Sequence, residues 1–464
     1  MKNRCRNSIL EFRKKIESAK ENRSDLIMSD RADSAYLKWR GLNNILTRSS
    51  PFGNETGSLP NGVFNPSSNL LAEIRQNSKV LVIGAGGLGC ELLKDLVLSG
   101  FSDIHVIDMD TIATSNLNRQ FLFRHKDVGR FKAEVAAEFI MKRVPGCMVT
   151  HHTKRIQEME EDFYKQFKVI IGGLDNIEAR RWLNSLLHSF VKVVKDEDGS
   201  EGFSEDSILI PYIDGGTEGF SGQARVILPR ITSCFECSME LFPPQTTFAI
   251  CTIANTPRLP EHCIMFALLI EWKDNFAYNV DSDNPVHMQW IYERALARAD
   301  NYKISGVTYF KTMGVVKNII PAVASTNALI SAVCVSECIK IITFCSQSLN
   351  NYFMHVGRIG INATTICYEK RDTCAVCSTE TIVRQLNPSL TLQEFRDELI
   401  NSPLLQLKRP DIRNNSRNIT MYMHVMKATH SNLEKTMQEF AEDGDELIIN
   451  DPTLVSHMYI KVKF

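Results

Sequence analysis

The spacing of hydrophobic and polar positions changes several times along this chain, and each change marks an element. Lys79-Val-Leu-Val-Ile83 is a short unbroken apolar run, the texture of a strand buried on both faces of a parallel sheet. A glycine-rich turn follows, then a helix from Cys90 to Leu98, then Ile104-His-Val-Ile107 as a second strand. Strand, helix and strand within ~30 residues make a βαβ unit. The rhythm continues with a helix from Lys132 to Arg143 and a strand at Lys168-Val-Ile-Ile171 that runs out at Asp175. It fades between Cys234 and about Lys303, where prolines at 243, 244, 257, 260 and 285 break the chain, so an inserted domain is expected there. Gly306 to Cys367 returns to core-like texture. Its most apolar stretch, Ile319 to Cys345, is interrupted by Pro321, Ser325, Asn327, Glu337 and Lys340, which predicts a buried helix rather than a membrane span.

The last ~80 residues read as a separate small α+β module by the same pattern. Thr391 and Glu394 make a capping box, with Leu392, Phe395 and Leu399 on one helical face. Ile419 to Val425 and Met458 to Phe464 alternate as half-buried strands do. At the other end, residues 1 to about 34 are polar and read as a flexible or loosely helical extension. Pro51 to Asn69 is a turn-rich linker, and Asp196 to Asp206 an acidic solvated loop.

Length and composition narrow the class. At ~150 residues per domain, 464 residues suggest about three domains. With 44% apolar and 23% charged residues the chain is neither collagen-like, coiled-coil nor largely disordered. A net charge of −1 provides no global basic field, so no nucleic acid partner is expected, and no membrane. Thirteen cysteines without a secretory signal, behind an N-terminal stretch carrying Glu11 and Glu17, point to a reducing compartment, cytoplasmic or nuclear.

The chemistry begins at the glycine turn. Gly84-Ala-Gly86-Gly-Leu-Gly89 follows a strand and opens a helix: Gly84 for the tight turn, Gly86 for backbone approach to phosphate, Gly89 for close helix packing. Asp108 ends the next strand, where a carboxylate can hold ribose hydroxyls. A dinucleotide enzyme using NAD or FAD is the first reading of such a site. The residues downstream argue for a triphosphate instead: Asn116, Arg119 and Gln120 after the acid, Lys132 at the next helix start, and Asp175 placed to hold magnesium. Backbone amides can hold a pyrophosphate, but a triphosphate under attack needs fixed positive charge.

Cys234-Phe-Glu-Cys237 and Cys374-Ala-Val-Cys377 are two C-x-x-C pairs, and four thiolates close a tetrahedral zinc shell. Such a zinc would be structural, without an open coordination position. Among the other cysteines, Cys251 and Cys263 lie in the proline-punctuated insert, the place for an accessible reactive thiol. Spacing does not choose between them.

Four stretches carry a resemblance: VLVIGAGGLGCELLK, IHVIDMDTIATSNLNRQFLFR, GGLDNIEARRWLN and PYIDGGTEGFSGQARVILP. They resemble the activating enzymes of ubiquitin-like modifiers, and from about Tyr36 onward the chain resembles the catalytic subunits of the neddylation (Rub-type) branch. The resemblance implies an α/β, Rossmann-like adenylation domain of the ThiF/MoeB type, with an inserted catalytic-cysteine domain and a C-terminal ubiquitin-like α+β domain. The corresponding boundaries are an extension at 1–35, adenylation domain at 36–237 and 306–380, cysteine insert at 238–305 and terminal domain at 385–464. It implies that the modifier's C-terminal glycine is adenylated with ATP and Mg²⁺, captured as a thioester and passed to a conjugating enzyme docked on the terminal domain, a mobile arm. Asp108, Asn116, Arg119, Gln120 and Lys132 match ATP contacts and Asp175 a magnesium ligand; the four paired cysteines match a zinc site.

Ile250-Cys251-Thr252-Ile253, with Pro257-Arg258-Leu-Pro260-Glu-His262, matches the catalytic-cysteine motif and selects Cys251 as nucleophile. His262 is a candidate base, or a loop histidine with a structural hydrogen bond. Phe131 and Ala249 stand where relatives carry proline. Arg225 matches an arginine that excludes modifier tails bearing their own arginine, against the plainer reading of a surface salt bridge. The resemblance also implies a heterodimer with a regulatory subunit of related adenylation fold. SUMO-type activators and, more distantly, sulfur-carrier adenylyltransferases are the alternative enzymes. A non-catalytic regulatory chain would be expected to lack some of Arg119, Lys132, Asp175 and Cys251.

Overall fold

The computed structural model describes residues 32–47, 64–195, 201–241, 257–281, 284–316, 322–346, 349–378 and 381–464. The apolar run at Lys79–Ile83 forms β1, buried from Val80 onward, and Asp103–Ile107 forms β2, Met148–His152 β3 and Val169–Gly172 β4. A short antiparallel pair, β5 (Val193–Lys195) and β6 (Glu201–Phe203), stands apart from the sheet that these four strands begin. Tyr212–Glu218 (β7), Ser221–Ile227 (β8), Tyr352–Val356 (β9) and Asn362–Ile366 (β10) complete it, in the order β10-β9-β8-β7-β4-β1-β2-β3. The β3 to β7 half is parallel, because helices cross over between its strands; β7 to β10 are antiparallel neighbours.

Helix Gly87–Leu98 starts three residues earlier than the pattern suggested, within the glycine turn itself, and helix Lys132–Arg143 lies where it was expected. Helix Ala324–Thr343 is long and apolar enough to cross a membrane by length and composition. In the folded chain Ile330, Cys334, Val335 and Cys338 are instead buried in one core with Leu88, Leu92, Ile213 and Val226.

The terminal domain has a five-stranded sheet of β11 (Ile382–Gln385), β12 (Asp411–Asn414), β13 (Ile419–Tyr422), β14 (Glu446–Asn450) and β15 (Met458–Lys463), in the order β11-β15-β14-β12-β13. Helix Leu392–Asn401 begins on the expected capping box, and Leu392, Phe395 and Leu399 are fully buried. The separateness anticipated for this module is not what the chain displays. A single apolar cluster runs from Leu81, Ile170 and Leu183 through the paired cysteines to Phe395, Ile449 and Val462.

Contacts divide the chain into two compact units, one comprising residues up to 242 with 324–464, the other 243–323. The second unit is helical where it is described, with Pro260–Phe266, Pro285–Asn301 and Tyr309–Val316 as its main α-helices. Its core joins Cys263, Ile264, Trp272, Ile291 and Ala295.

Candidate functional site

From β1 the chain moves to β2 and β3 on one side, then returns to β4 on the other. At that switch point the connections leaving the carboxyl ends of β1 and β4 diverge and open a crevice. The glycine turn lies there. Gly84 has φ +94°, and its N–H donates to Ile107 O at 2.8 Å. A Cβ on Gly84 would sit 2.7 Å from Gly173 O, and one on Gly89 would sit 1.9 Å from Gly84 O, so these two glycines are required by the fold itself. Gly86 differs. A Cβ there would meet only Gln120 Nε2, at 3.8 Å, an ordinary contact. Its bareness serves no internal packing and leaves room for a ligand. Helix Gly87–Leu98 has no side-chain N-cap, so its first amides are available to an anion.

Asp108 is fixed at the end of β2. Its carboxylate accepts the Ala85 N–H at 2.6 Å and the Asp110 N–H at 2.8 Å. Burial raises the Asp108 carboxyl above its ordinary value, against the pull of Lys132 and those two backbone donors. Lys132, itself buried, donates from Nζ to Asp110 Oδ2 at 2.7 Å. Asp110 was missed in the sequence; the signal was its position two residues beyond the ribose-type acid.

Asn116 Oδ1 accepts the Ala113 N–H at 2.9 Å and so shapes the loop that carries Arg119 and Gln120. Arg119 Nη1 donates to Ser115 O and Asn118 Oδ1, both at 3.0 Å, and Arg119 Cγ would lie 3.5 Å from a Cβ on Gly87. Gln120 is buried, and its Oε1 has no hydrogen-bond partner among the described residues. Asp175 is exposed three residues beyond β4, accepting from Asn176 Nδ2 at 3.1 Å. Thus Asp108 is bonded to the glycine turn through the Ala85 N–H, Lys132 is tied to Asp110 beside it, Gln120 and Arg119 lie next to Gly86 and Gly87, and Asp175 stands at the same edge of the sheet.

Asn327, a second residue missed in the sequence, reaches this turn from helix Ala324–Thr343; a Cβ on Gly87 would lie 2.4 Å from its Nδ2.

Arg225 is not a surface residue. It lies opposite Asp214 in the β7–β8 ladder, with Nε 3.5 Å from Asp214 Oδ2, Nη2 donating to Gln223 Oε1 at 3.0 Å and Nη1 to Ser238 Oγ. Its guanidinium lies over the rings of Phe235 at 4.9 Å and Tyr352 at 5.3 Å. Arg180 shares the same buried Asp214 at 3.3 Å. The surface salt bridge weighed from the sequence is corrected to a buried one.

Cys234, Cys237, Cys374 and Cys377 converge in the core, with their sulfurs all within 4.8 Å of one another. Sγ–Sγ distances are 3.9 Å for Cys234–Cys237, 3.5 Å for Cys234–Cys374 and 3.3 Å for Cys237–Cys377. Zinc–sulfur bonds of about 2.3 Å in a tetrahedron put sulfurs about 3.8 Å apart, so the cluster is compatible with zinc. Cys237 Sγ also accepts the Arg371 N–H at 3.4 Å.

Cys251 lies outside the described residues. Its competitor Cys263 is fully buried in helix Pro260–Phe266, and burial pushes its thiol up, which makes it a poor nucleophile. His262 is buried in the same helix rather than in a loop, with Nδ1 accepting the Arg258 N–H at 3.1 Å, a structural hydrogen bond. Burial likewise raises the thiols of Cys90, Cys334 and Cys338, as expected of packing cysteines.

Comparison with known proteins adds the following. The sequence model of the ThiF family matches residues 67–379, and that of the E2 binding domain matches residues 385–464. The chain is 50% identical over 437 residues to a NEDD8-activating enzyme E1 catalytic subunit of Dictyostelium discoideum, covering 92% of this chain and 96% of that one. It is 47% identical over 439 residues to the Drosophila melanogaster Nedd8-activating enzyme E1 catalytic subunit, covering 92% and 95%. With the Caenorhabditis elegans NEDD8-activating enzyme E1 catalytic subunit, identity is 42% over 436 residues, covering 92% and 98%.

Proposed function

The chain belongs to the ThiF family and, within it, to the NEDD8-activating enzyme E1 catalytic subunits, and from that premise we propose how its residues carry the activity. It is an ATP-dependent activating enzyme for a ubiquitin-like modifier. The observation that carries this reading is the gathering of an uncapped helix start, a held carboxylate and a buried lysine around the bare Gly86 at the switch point.

Asp108 holds the ribose of ATP, and the amides after Gly86 receive phosphate oxygens. The modifier's terminal carboxylate attacks the α-phosphorus, one P–O bond forms, and pyrophosphate leaves. Two anions must approach for that step, and Lys132 and Arg119 offset the repulsion. Lys132 exchanges Asp110 for phosphate as the nucleotide enters. Asn116 and Gln120 complete the nucleotide contacts; the buried, unpartnered Gln120 Oε1 supports this. Asp175, an exposed carboxylate, holds magnesium, which supplies further charge neutralisation. Cys251 then attacks the acyl carbon as thiolate and releases AMP, leaving a thioester.

The E2 binding domain at 385–464 receives the conjugating enzyme. A regulatory subunit of related adenylation fold completes a heterodimer, and the modifier is of the neddylation type. Arg225 discriminates among modifier tails, and the paired cysteines hold structural zinc. The cysteine domain corresponds to the compact unit at 243–323, which takes in helix Tyr309–Val316 beyond the boundary at 305 expected from the sequence, and the enzyme works in a reducing compartment, cytoplasmic or nuclear.

Reconstitution with a regulatory chain, MgATP and each purified modifier tests the whole. The neddylation-type modifier should drive pyrophosphate exchange and form a conjugate that reducing agent removes. Cys251→Ala should lose the conjugate and keep exchange; Arg225→Gln should narrow the preference over ubiquitin. Exchange driven only by a SUMO-type modifier would replace this reading with the SUMO branch.

A further inference from the structure

Asn327 is 1% exposed, and neither its helix nor its burial requires an amide at that position. Its Oδ1 accepts the Thr217 hydroxyl at 2.7 Å, which fixes the amide plane and turns Nδ2 toward Gly87. Nδ2 has no hydrogen-bond partner among the described residues. An unpaired buried donor destabilises the folded chain, so such groups call for an explanation.

The surroundings supply one. Gly87 is the first residue of the uncapped helix, whose amides are donors, and the Arg119 stem lies against the same glycine. Lys132 stands at the next helix start. The helix amides and Asn327 Nδ2 thus meet at Gly87 from two separate helices, beside the Arg119 stem, and what completes them is an acceptor carrying negative charge.

We propose that Asn327 is a further substrate-contacting residue, whose Nδ2 donates a hydrogen bond to an oxyanion of the adenylation step. That oxyanion is an oxygen of the nucleotide α-phosphate or of the modifier's terminal carboxylate. The inference rests on the adenylation reading given above. Thr217 acts as the positioning residue, holding the amide in the donor-forward orientation.

The test uses the full-length chain assembled with its regulatory partner, comparing Asn327→Asp and Asn327→Ala. Aspartate keeps the shape but puts an anion where a donor stood, so it should be the more damaging change. Modifier-dependent ATP–pyrophosphate exchange should fall roughly a hundredfold, the usual loss of one oxyanion donor. Zinc content should be unchanged, and melting temperature should fall at most modestly in Asn327→Ala, which loses the acceptor of the Thr217 hydroxyl along with the unpaired donor, whereas Asn327→Asp keeps that acceptor. Weakened binding of a fluorescent ATP analogue places the contact on phosphate. Unchanged nucleotide binding with lost turnover or a raised modifier KM places it on the carboxylate. Wild-type exchange in both variants overturns the inference. Should the aspartate chain not fold, Asn327→Ser, small and neutral, takes its place under the same criteria. Lys132→Ala is run alongside: if it too exchanges normally, the adenylation site itself is misassigned, whereas a dead Lys132→Ala beside normal Asn327 variants rejects only the role of Asn327.

Discussion

Arg181 and Glu236 form a two-pronged ion pair, Nε 2.8 Å from one carboxylate oxygen and Nη2 3.0 Å from the other, with both side chains buried. Glu236 lies inside the first C-x-x-C pair. The same guanidinium donates to the carbonyls of Leu405 and Gln406, both at 2.8 Å, in the terminal domain. One side chain thus ties helix Ile177–Ser189, the cysteine loop and the E2 binding domain together.

Arg181→Ala should therefore destabilise the chain by about 3–5 kcal/mol, because Glu236 would be left buried and uncompensated. Urea unfolding measures this. Arg181→Met with Glu236→Gln should lose less than Arg181→Ala, since no bare charge remains, and limited proteolysis should find the terminal domain more readily released in either variant.

The glycines of the turn separate by function. Gly89→Ala forces a Cβ into the backbone carbonyl of Gly84, so its melting temperature should fall steeply. Gly86→Ala meets only an ordinary contact and should melt like the parent, yet bind ATP more weakly. Equal nucleotide affinity in folded Gly86→Ala would remove that glycine from the ligand site.

The cysteine cluster predicts a metal-dependent core. Strong chelation should release zinc in a ratio near one per chain and lower the melting temperature. Cys374→Ser should do the same without chelator and, through Glu236 and Arg181, loosen the terminal domain as well.

Acid should weaken the parallel edge of the large sheet. His105 Nδ1 and His152 Nε2 lie 3.0 Å apart beside Phe163 and Phe167. Burial, then the neighbouring His152 and Lys79, push His105 down to about 4, with Asp103 opposing; burial and His151 and Lys154 also lower His152. The unfolded rings titrate near ~6.5. Below that value the unfolded chain takes up protons that the folded chain refuses, so this contribution to stability is intact above ~6.5 and is lost as pH falls toward 4. Urea midpoints at neutral and mildly acid pH should show the fall, and His105→Phe should reduce it.

Much of this was written locally. β1, the glycine turn, Asp108, helix Lys132–Arg143 and the Thr391–Glu394 capping box are set by side-chain periodicity and backbone preference within a few residues, which a sequence carries openly. The two C-x-x-C pairs also announced themselves, since thiol spacing within a loop is itself the signal.

Tertiary structure decided the rest. Nothing near Asn327 says that its amide will meet Gly87; that follows from how helix Ala324–Thr343 packs on helix Gly87–Leu98 and on β7. Arg225 reads as polar strand texture, and only the β7–β8 register sets it opposite buried Asp214. Arg181 passes for a surface arginine of an amphipathic helix until the terminal domain covers it with the carbonyls of Leu405 and Gln406. Local preferences fix which elements form. Which polar groups end up buried together depends on the faces those elements present to distant chain, and that is settled only when the shared core is packed.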